Sequence, residues 1–285
     1  MEKIIKNIET ISIYIIILNI ITLIIIIMDN LFFGTYKLVD EEILLKTLDI
    51  AYKVGYRKFD CAELYKNQHI ISKFFSNIPR SDYYITSKLS FRIIPKGEAM
   101  IRDSLDKTLS YFDNVIDLML IHAPVKNDLI AWKILVEYKE KKLIKNIGIS
   151  NYNLEKLEEF RNAIDNPDEI YCNQIEFNPY LNRKELIERC HSYNIKLISY
   201  GCMYHTDMYS NDSMIKKIAN KLNKTKEQIL IKYAIQKQFS VIVTSTVEQY
   251  IVDNLQMNFN IDDNDMNYID NIDTNTIYSM YRRFL

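Results

Sequence analysis

Four side chains in this sequence have the chemistry of a proton-donating site for a carbonyl oxygen: the Asp60 carboxylate, the Tyr65 phenol, the Lys88 ammonium and the His122 imidazole. A free phenol titrates near 10, too high to exchange a proton easily near neutral pH. A neighbouring ammonium favours the phenolate and lowers that value. Lys88 can be that ammonium, Asp60 can hold it through an ion pair, and His122 can hydrogen-bond and position the substrate oxygen. The plain alternative is an ordinary Asp60–Lys88 salt bridge, with Tyr65 and His122 as incidental surface groups. Any one of the four alone reads as structural. Their recurrence at equivalent places argues for chemistry.

Those places are strand ends. Asp60 closes the run 56–60, Lys88 closes 83–88 and His122 closes 116–122, while Tyr65 lies five residues past Asp60 in the following loop. A parallel barrel of alternating strands and helices uses the C-terminal ends of its strands for catalysis. From residue 28 onward the pattern alternates with a period of roughly 30 residues, the size of a βα unit. Strands are predicted over 32–36, 56–60, 83–88, 116–122, 144–149, 171–176, 196–200 and 241–244. Helices are predicted over 40–54, 67–75, 98–112, 129–141, 154–163, 183–193, 213–222, 226–236 and 247–254. Most strands are short apolar runs, as expected when both faces are covered. Right-handed crossovers close such an array into a single-domain α/β fold, a (β/α)8 TIM barrel. An open doubly wound sheet is the alternative, and regular repeats without a Gly-rich turn favour closure. The barrel is expected over 29–273 and a C-terminal tail over 274–285, with the chain from 259 onward crossing the barrel.

Composition narrows the classes. The 285 residues are 48% hydrophobic, enough for one large core. Lys plus Arg (36) balance Asp plus Glu (37), so no electrostatic footprint for nucleic acid is visible. Cys61, Cys172, Cys190 and Cys202 have no CxxC spacing and read as reduced thiols, without a disulfide framework or a zinc site. His69, His191 and His205 have no partners at ligand spacing, so no metal is expected. The five glycines form neither GxGxxG nor a P-loop, which excludes a Rossmann fingerprint.

Several segments carry a resemblance. The run from Gly55 to Asn67, which contains Asp60 and Tyr65, is similar to the signature of the aldo-keto reductase family. So are Ile78-Pro79-Arg80 followed by 85–88, the run 117–122, Ile147-Gly-Ile-Ser-Asn151, and the run 173–180. The similarity is collinear from about residue 34 to 273. It implies a (β/α)8 barrel that binds NADPH without a Rossmann fold. It implies Tyr65 as general acid in carbonyl reduction, with Asp60, Lys88 and His122 completing a tetrad. Ser150, Asn151 and Gln174 match residues that hydrogen-bond the nicotinamide amide, and Tyr200 matches the aromatic that stacks on its ring. Gly34, Thr35 and Tyr36 match the first-strand segment lining the cofactor. Strand-end capping is the alternative role for Asn151 and Gln174, and core packing for Tyr200.

Departures from the family pattern matter as much. The segment 241–254 matches the adenosine-phosphate site, yet Thr244 stands where many members carry lysine and Tyr250 where they carry arginine. Both bases grip the 2′-phosphate of NADPH. Ser245 and Thr246 can still hydrogen-bond a phosphate, Tyr250 can stack on adenine, and Asn254 closes the segment. A neutral hydrogen bond is weaker than an ion pair to phosphate, so NADP(H) is expected first and NAD(H) second. Gly201-Cys202-Met203 replaces Ser-Pro-Leu after the stacking tyrosine, which removes a hydroxyl. His122-Ala123-Pro124 replaces His-Trp-Pro, which opens a pocket wall. Gln68 replaces the usual Glu after Asn67.

With a short loop after His122 and a short tail, the expected substrate is a small or modest aldehyde or ketone, handled by a cytoplasmic monomer. A nucleotide-sensing regulatory subunit of the same fold is the competing function. The Ile-rich segment 1–28 bears on a third. Its uncharged run 11–28 follows Lys3 and Lys6 and has about the length that spans a bilayer. It reads as translated sequence upstream of a start at Met28, as a hairpin covering the barrel floor, or as a single-pass anchor of a membrane-tethered reductase. An anchor would put the barrel outside the cytoplasm by the positive-inside rule, away from the intracellular cofactor pool.

Overall fold

The computed structural model describes residues 30–203 and 213–284. The segment 1–28, with its three readings, and His205 lie outside the described residues. Eight strands form a closed barrel in sequence order: β1 Leu31–Gly34, β2 Lys58–Asp60, β3 Tyr84–Leu89, β4 Ile116–Ile121, β5 Ile144–Ser150, β6 Cys172–Glu176, β7 Lys196–Tyr200 and β8 Phe239–Val243. Every neighbouring pair is parallel, and β1 closes on β8 with Phe32 beside Ile242. Among the described residues there are ten α-helices: α1 Glu41–Val54, α2 Gln68–Phe75, α3 Glu98–Ser110, α4 Asp128–Glu140, α5 Leu154–Ala163, α6 Lys184–Ser192, α7 Ser213–Leu222, α8 Lys226–Gln236, α9 Glu248–Asp253 and α10 Asp263–Asp270.

The period of two along each strand separates a narrow lumen from a thick outer core. Phe32, Leu118, Leu120, Cys172 and Ile198 come from four different strands yet pack together, with Tyr84, Tyr171 and Ile242 against them. Only the barrel interior brings such residues into contact. Met119 and Ile121, one step out of phase, belong to the core between strands and helices with Leu44, Leu48, Leu105 and Leu135. Two residues past Leu120 on the same face comes His122. In the same way Asp60 follows Lys58, and Lys88 follows Thr86. The lumen alternation therefore carries polar side chains inward at the C-terminal rim.

Local signals set the helix ends. Asp40 caps α1 by accepting from the Ile43 N–H at 2.9 Å, and Gly55 ends it with its N–H on the Ala51 and Tyr52 carbonyls. Leu44, Leu48 and Ala51 fall on the buried stripe. Strand β8 begins earlier than predicted, at Phe239, because pairing with β7 recruits Phe239 and Ser240. The prediction had no helix α10. It is short and acidic, and its apolar side comes to Met266, Tyr268 and Ile269 among five acidic or amide residues. Its first turn is held by the Asp262 cap and by Lys221, which pairs with Asp262 at 2.5 Å and Asp265 at 2.8 Å.

Gly148 is needed for closure between β5 and β6. A Cβ there would lie 2.8 Å from the Cys172 carbonyl oxygen and 2.9 Å from Leu120 Cδ2. One of those neighbours is backbone and cannot swing away, so overpacking is costly. Gly148→Ala is expected to lower stability by about 1–3 kcal/mol in urea unfolding. An unchanged midpoint would mean that the strands part without penalty.

Candidate active site

Asp60, the last residue of β2, is buried at the rim, and Lys88 reaches it from the neighbouring strand β3. Lys88 Nζ donates to Asp60 Oδ1 at 2.5 Å, to the Cys61 carbonyl at 3.0 Å and to Tyr65 Oη at 3.3 Å. An ammonium has three N–H groups, and each has an acceptor here. The second Asp60 oxygen accepts from Gln174 Nε2 at 2.8 Å, which ties β2 to β6. The salt bridge of the plain alternative therefore exists, and the phenol is part of the same cluster.

Tyr65 sits on a single 3₁₀ turn, Glu63–Tyr65, closed by its N–H on the Ala62 carbonyl. The Glu63 carboxylate accepts from the Ser90 N–H at 3.1 Å and fixes that turn to the loop after β3. The Tyr65 ring lies 5.0 Å from the Tyr36 ring and 5.9 Å from the His122 ring, centroid to centroid. His122 is 1% exposed, and burial followed by the Lys88 charge pushes its pKa well below the ordinary value. Its imidazole is therefore neutral at neutral pH, suited to hydrogen-bonding an oxygen rather than to carrying a charge. Its Nδ1 has no hydrogen-bond partner among the described residues.

The four groups converge on a cavity of about 850 Å³. Asp60, Tyr65 and His122 line its inner end, and Lys88 stands just behind them. Of the residues matched to cofactor contacts, Gly34, Tyr36, Ser150, Asn151, Gln174, Tyr200, Gly201, Thr244, Ser245, Tyr250 and Asn254 line it too. Thr35 and Thr246 do not. Thr35 is buried and donates to the Asp60 carbonyl at 3.0 Å, while Thr246 faces solvent. Asn151 adopts φ 63°, which asparagine tolerates well. Its amide donates to the His122 carbonyl at 2.8 Å and to Ser150 Oγ at 3.1 Å, and its oxygen accepts from the Tyr200 phenol at 2.5 Å. Ser150 Oγ donates to the Gln174 carbonyl at 2.8 Å. Gln68 donates to Ser87 Oγ at 2.8 Å, so the amide in place of the family's carboxylate keeps a buried role.

The tail overturns the expectation of an open wall. Tyr281 is 8% exposed, and its phenol shares a 2.6 Å hydrogen bond with His122 Nε2. With Phe91 and Ala123 it forms a small apolar cluster where the family's indole is missing. The tail is anchored by Glu176, a fully buried carboxylate that accepts from the Tyr278 N–H at 3.0 Å and the Ser279 N–H at 2.9 Å. The Thr276 N–H adds a bond to the Tyr180 carbonyl at 2.9 Å. Sequence reading missed Phe91, Glu176, Ser279 and Tyr281. The one available signal was Glu176 as an acidic residue at a strand end, beside Gln174.

The Tyr281 phenol occupies the His122 Nε2 that the sequence reading reserves for a substrate oxygen. Tyr281→Phe removes that competitor while keeping the ring. A neutral hydrogen bond contributes about 0.5–1.5 kcal/mol net, so KM for a small aldehyde is expected to fall roughly 2–10-fold. A raised KM with a lower kcat would instead make the phenol a substrate-binding group.

A closed parallel barrel with a carboxylate–ammonium–phenol–imidazole cluster at its C-terminal rim defines a carbonyl-handling (β/α)8 enzyme. The Aldo/keto reductase family model matches residues 30–274, and the chain belongs to that family. Aldo-keto reductases are NAD(P)-dependent oxidoreductases that act on carbonyl groups. A methylglyoxal reductase of Salmonella typhi is 30% identical over 251 residues, covering 85% of this chain and 92% of that protein. Prostaglandin F synthase 2 of Bos taurus is 28% identical over 287 residues, covering 86% and 88%. The crystal structure of an aldo-keto reductase from a Medee basin deep-sea metagenome library matches with a TM-score of 0.82 at 27% identity, over 89% of this chain and 94% of that one.

Proposed function

We propose that this protein reduces a small aldehyde or ketone to an alcohol with a nicotinamide dinucleotide, Tyr65 acting as the general acid. The observation that carries the reading is the Lys88 ammonium bonded at once to the Asp60 carboxylate and the Tyr65 phenol. When bound, the reduced nicotinamide supplies the hydride to the carbonyl carbon. Negative charge then grows on the carbonyl oxygen, and the protein groups act on that atom. Tyr65 gives it a proton. Lys88 stabilises the phenolate left behind, and Asp60, held by Gln174, keeps Lys88 in place. Neutral His122 orients the oxygen through Nε2.

The cofactor fits the residues present. The cavity continues from the cluster past the amides of Asn151 and Gln174 and the Tyr200 ring to Ser245, Tyr250 and Asn254, a path suited to an extended dinucleotide. Gly201, Cys202 and Met203 line it as well. Tyr281 and Phe91 crowd the substrate end, which favours small carbonyl compounds of the class the Salmonella relative is named for. A reducing, cytoplasmic setting suits four free, buried cysteines. Burial pushes the Cys61, Cys190 and Cys202 thiols up to about 12, so they are inert. No helix among the described residues is long and apolar enough to cross a membrane.

The test is oxidation of NADPH and, in parallel, NADH by the full chain with methylglyoxal and an aromatic aldehyde. Turnover with either cofactor supports the reading. Folded protein that binds a cofactor but oxidises none would overturn it in favour of a regulatory subunit.

A further inference from the structure

The far end of the cavity carries the wrong charge for a phosphate. Glu227, in the first turn of α8, and Asp253, the last residue of α9, both line it beside Thr225, Ser245, Tyr250 and Asn254. They are held together by the α8 capping box. Thr225 and Gln228 exchange hydrogen bonds at 3.1 and 3.0 Å, and Gln228 Nε2 donates to the Asp253 carbonyl at 2.9 Å. The Asp253 carboxylate also accepts from Gln249 Nε2 at 2.9 Å, which orients it. Glu227 has no hydrogen bond or ion pair among the described residues. Among the described residues lining the cavity, the one cation is Lys37, in the loop after β1. Thr244, where the family often has lysine, spends its hydroxyl on the Gly34 carbonyl at 3.0 Å.

We propose that this end of the cavity selects the dinucleotide without a 2′-phosphate, with Glu227 and Asp253 as the selecting residues, so that NADH is bound in preference to NADPH. The inference rests on the carbonyl-reductase reading and names the cofactor for it. A phosphate monoester carries about −1.5 to −2 charges at neutral pH. Beside two carboxylates and no basic clamp it is repelled. A ribose 2′-hydroxyl is a donor, and Glu227 and Asp253 offer it carboxylate acceptors, the chemistry by which Rossmann folds bind NAD. The preference expected from the resemblance is thereby reversed, on two carboxylates that lie outside the matched motif or unremarked within it.

Calorimetric titration of the full chain with NADH and with NADPH at low salt tests this without any turnover. NADH is expected to bind at least 10-fold tighter. Glu227→Gln, which keeps size and removes charge, is expected to narrow the ratio several-fold, chiefly by strengthening NADPH. Thr244→Lys with Tyr250→Arg is expected to invert it. NADPH binding as tight as or tighter than NADH overturns the selectivity alone and leaves the reductase reading standing. Binding of neither by folded protein overturns the dinucleotide reading and this inference with it.

Discussion

Tyr65→Phe is expected to lower kcat for aldehyde reduction by about 10²–10⁴-fold, the usual contribution of a positioned general acid. At 1.36 kcal/mol per tenfold, that is roughly 3–5 kcal/mol of transition-state stabilisation. The size follows from the lack of a substitute. Neutral, buried His122 can hydrogen-bond the oxygen but has no extra proton to give. Lys88 keeps two of its three N–H groups on Asp60 and the Cys61 carbonyl when the phenol is gone, and it stands behind the cavity wall rather than in it. The substitution itself is mild, because Tyr65 is half-buried and its ring keeps its contacts with Tyr36 and His122. Dinucleotide binding should therefore survive within about twofold, since Phe differs by one oxygen on the substrate side. Single-turnover kinetics and a binding titration on the same preparation separate the two effects. Turnover within tenfold of the parent would remove Tyr65 from the role.

The barrel was legible because its signals are local and repeated. Each βα unit has a short apolar run, a polar or glycine stop and a periodic helix, and Asp40, Gly55 and Asn153 cap as their types dictate. The rim residues were legible because a period of two fixes which side chain at a strand end faces the lumen, and Asp60, Lys88 and His122 all fall in phase. What escaped depends on distant chain segments meeting. Tyr281 reaches His122 across 159 positions, and Glu176 takes the tail amides across 102 and 103. Neither contact leaves a periodic trace. Helix α10 escaped because it is short and its few apolar residues, Met266, Tyr268 and Ile269, sit among acidic and amide side chains, with charge and capping holding its first turn. Glu227 belongs to a third kind. It opens a well-predicted helix, where an acidic residue is ordinary, and only the cavity wall distinguishes it from a dipole-stabilising group.

The Asp60–Lys88 pair has a structural and a chemical consequence that one residue change confounds and a second separates. Lys88→Met leaves the Asp60 carboxylate buried at 3% exposure with the Gln174 amide as its remaining side-chain partner. Breaking a buried ion pair from one side costs about 3–5 kcal/mol, because the stranded charge has lost its partner and cannot reach water. Reduced kcat in that variant alone would be uninformative, since a loosened rim would also misplace Tyr65. The double variant Asp60→Asn with Lys88→Met removes the stranded charge as well. Replacing both members of such a pair by neutral groups of similar volume is often near neutral for stability, so most of the lost unfolding free energy should return. Activity should not return with it. The phenol then has no ammonium to stabilise its conjugate base, and proton donation to the carbonyl oxygen stays slow. Urea unfolding and kcat measured on the parent, the single and the double variant give the two readouts. A double variant that regains both stability and turnover would show that the pair only braces the barrel. One that regains stability alone assigns Lys88 to the proton-transfer step.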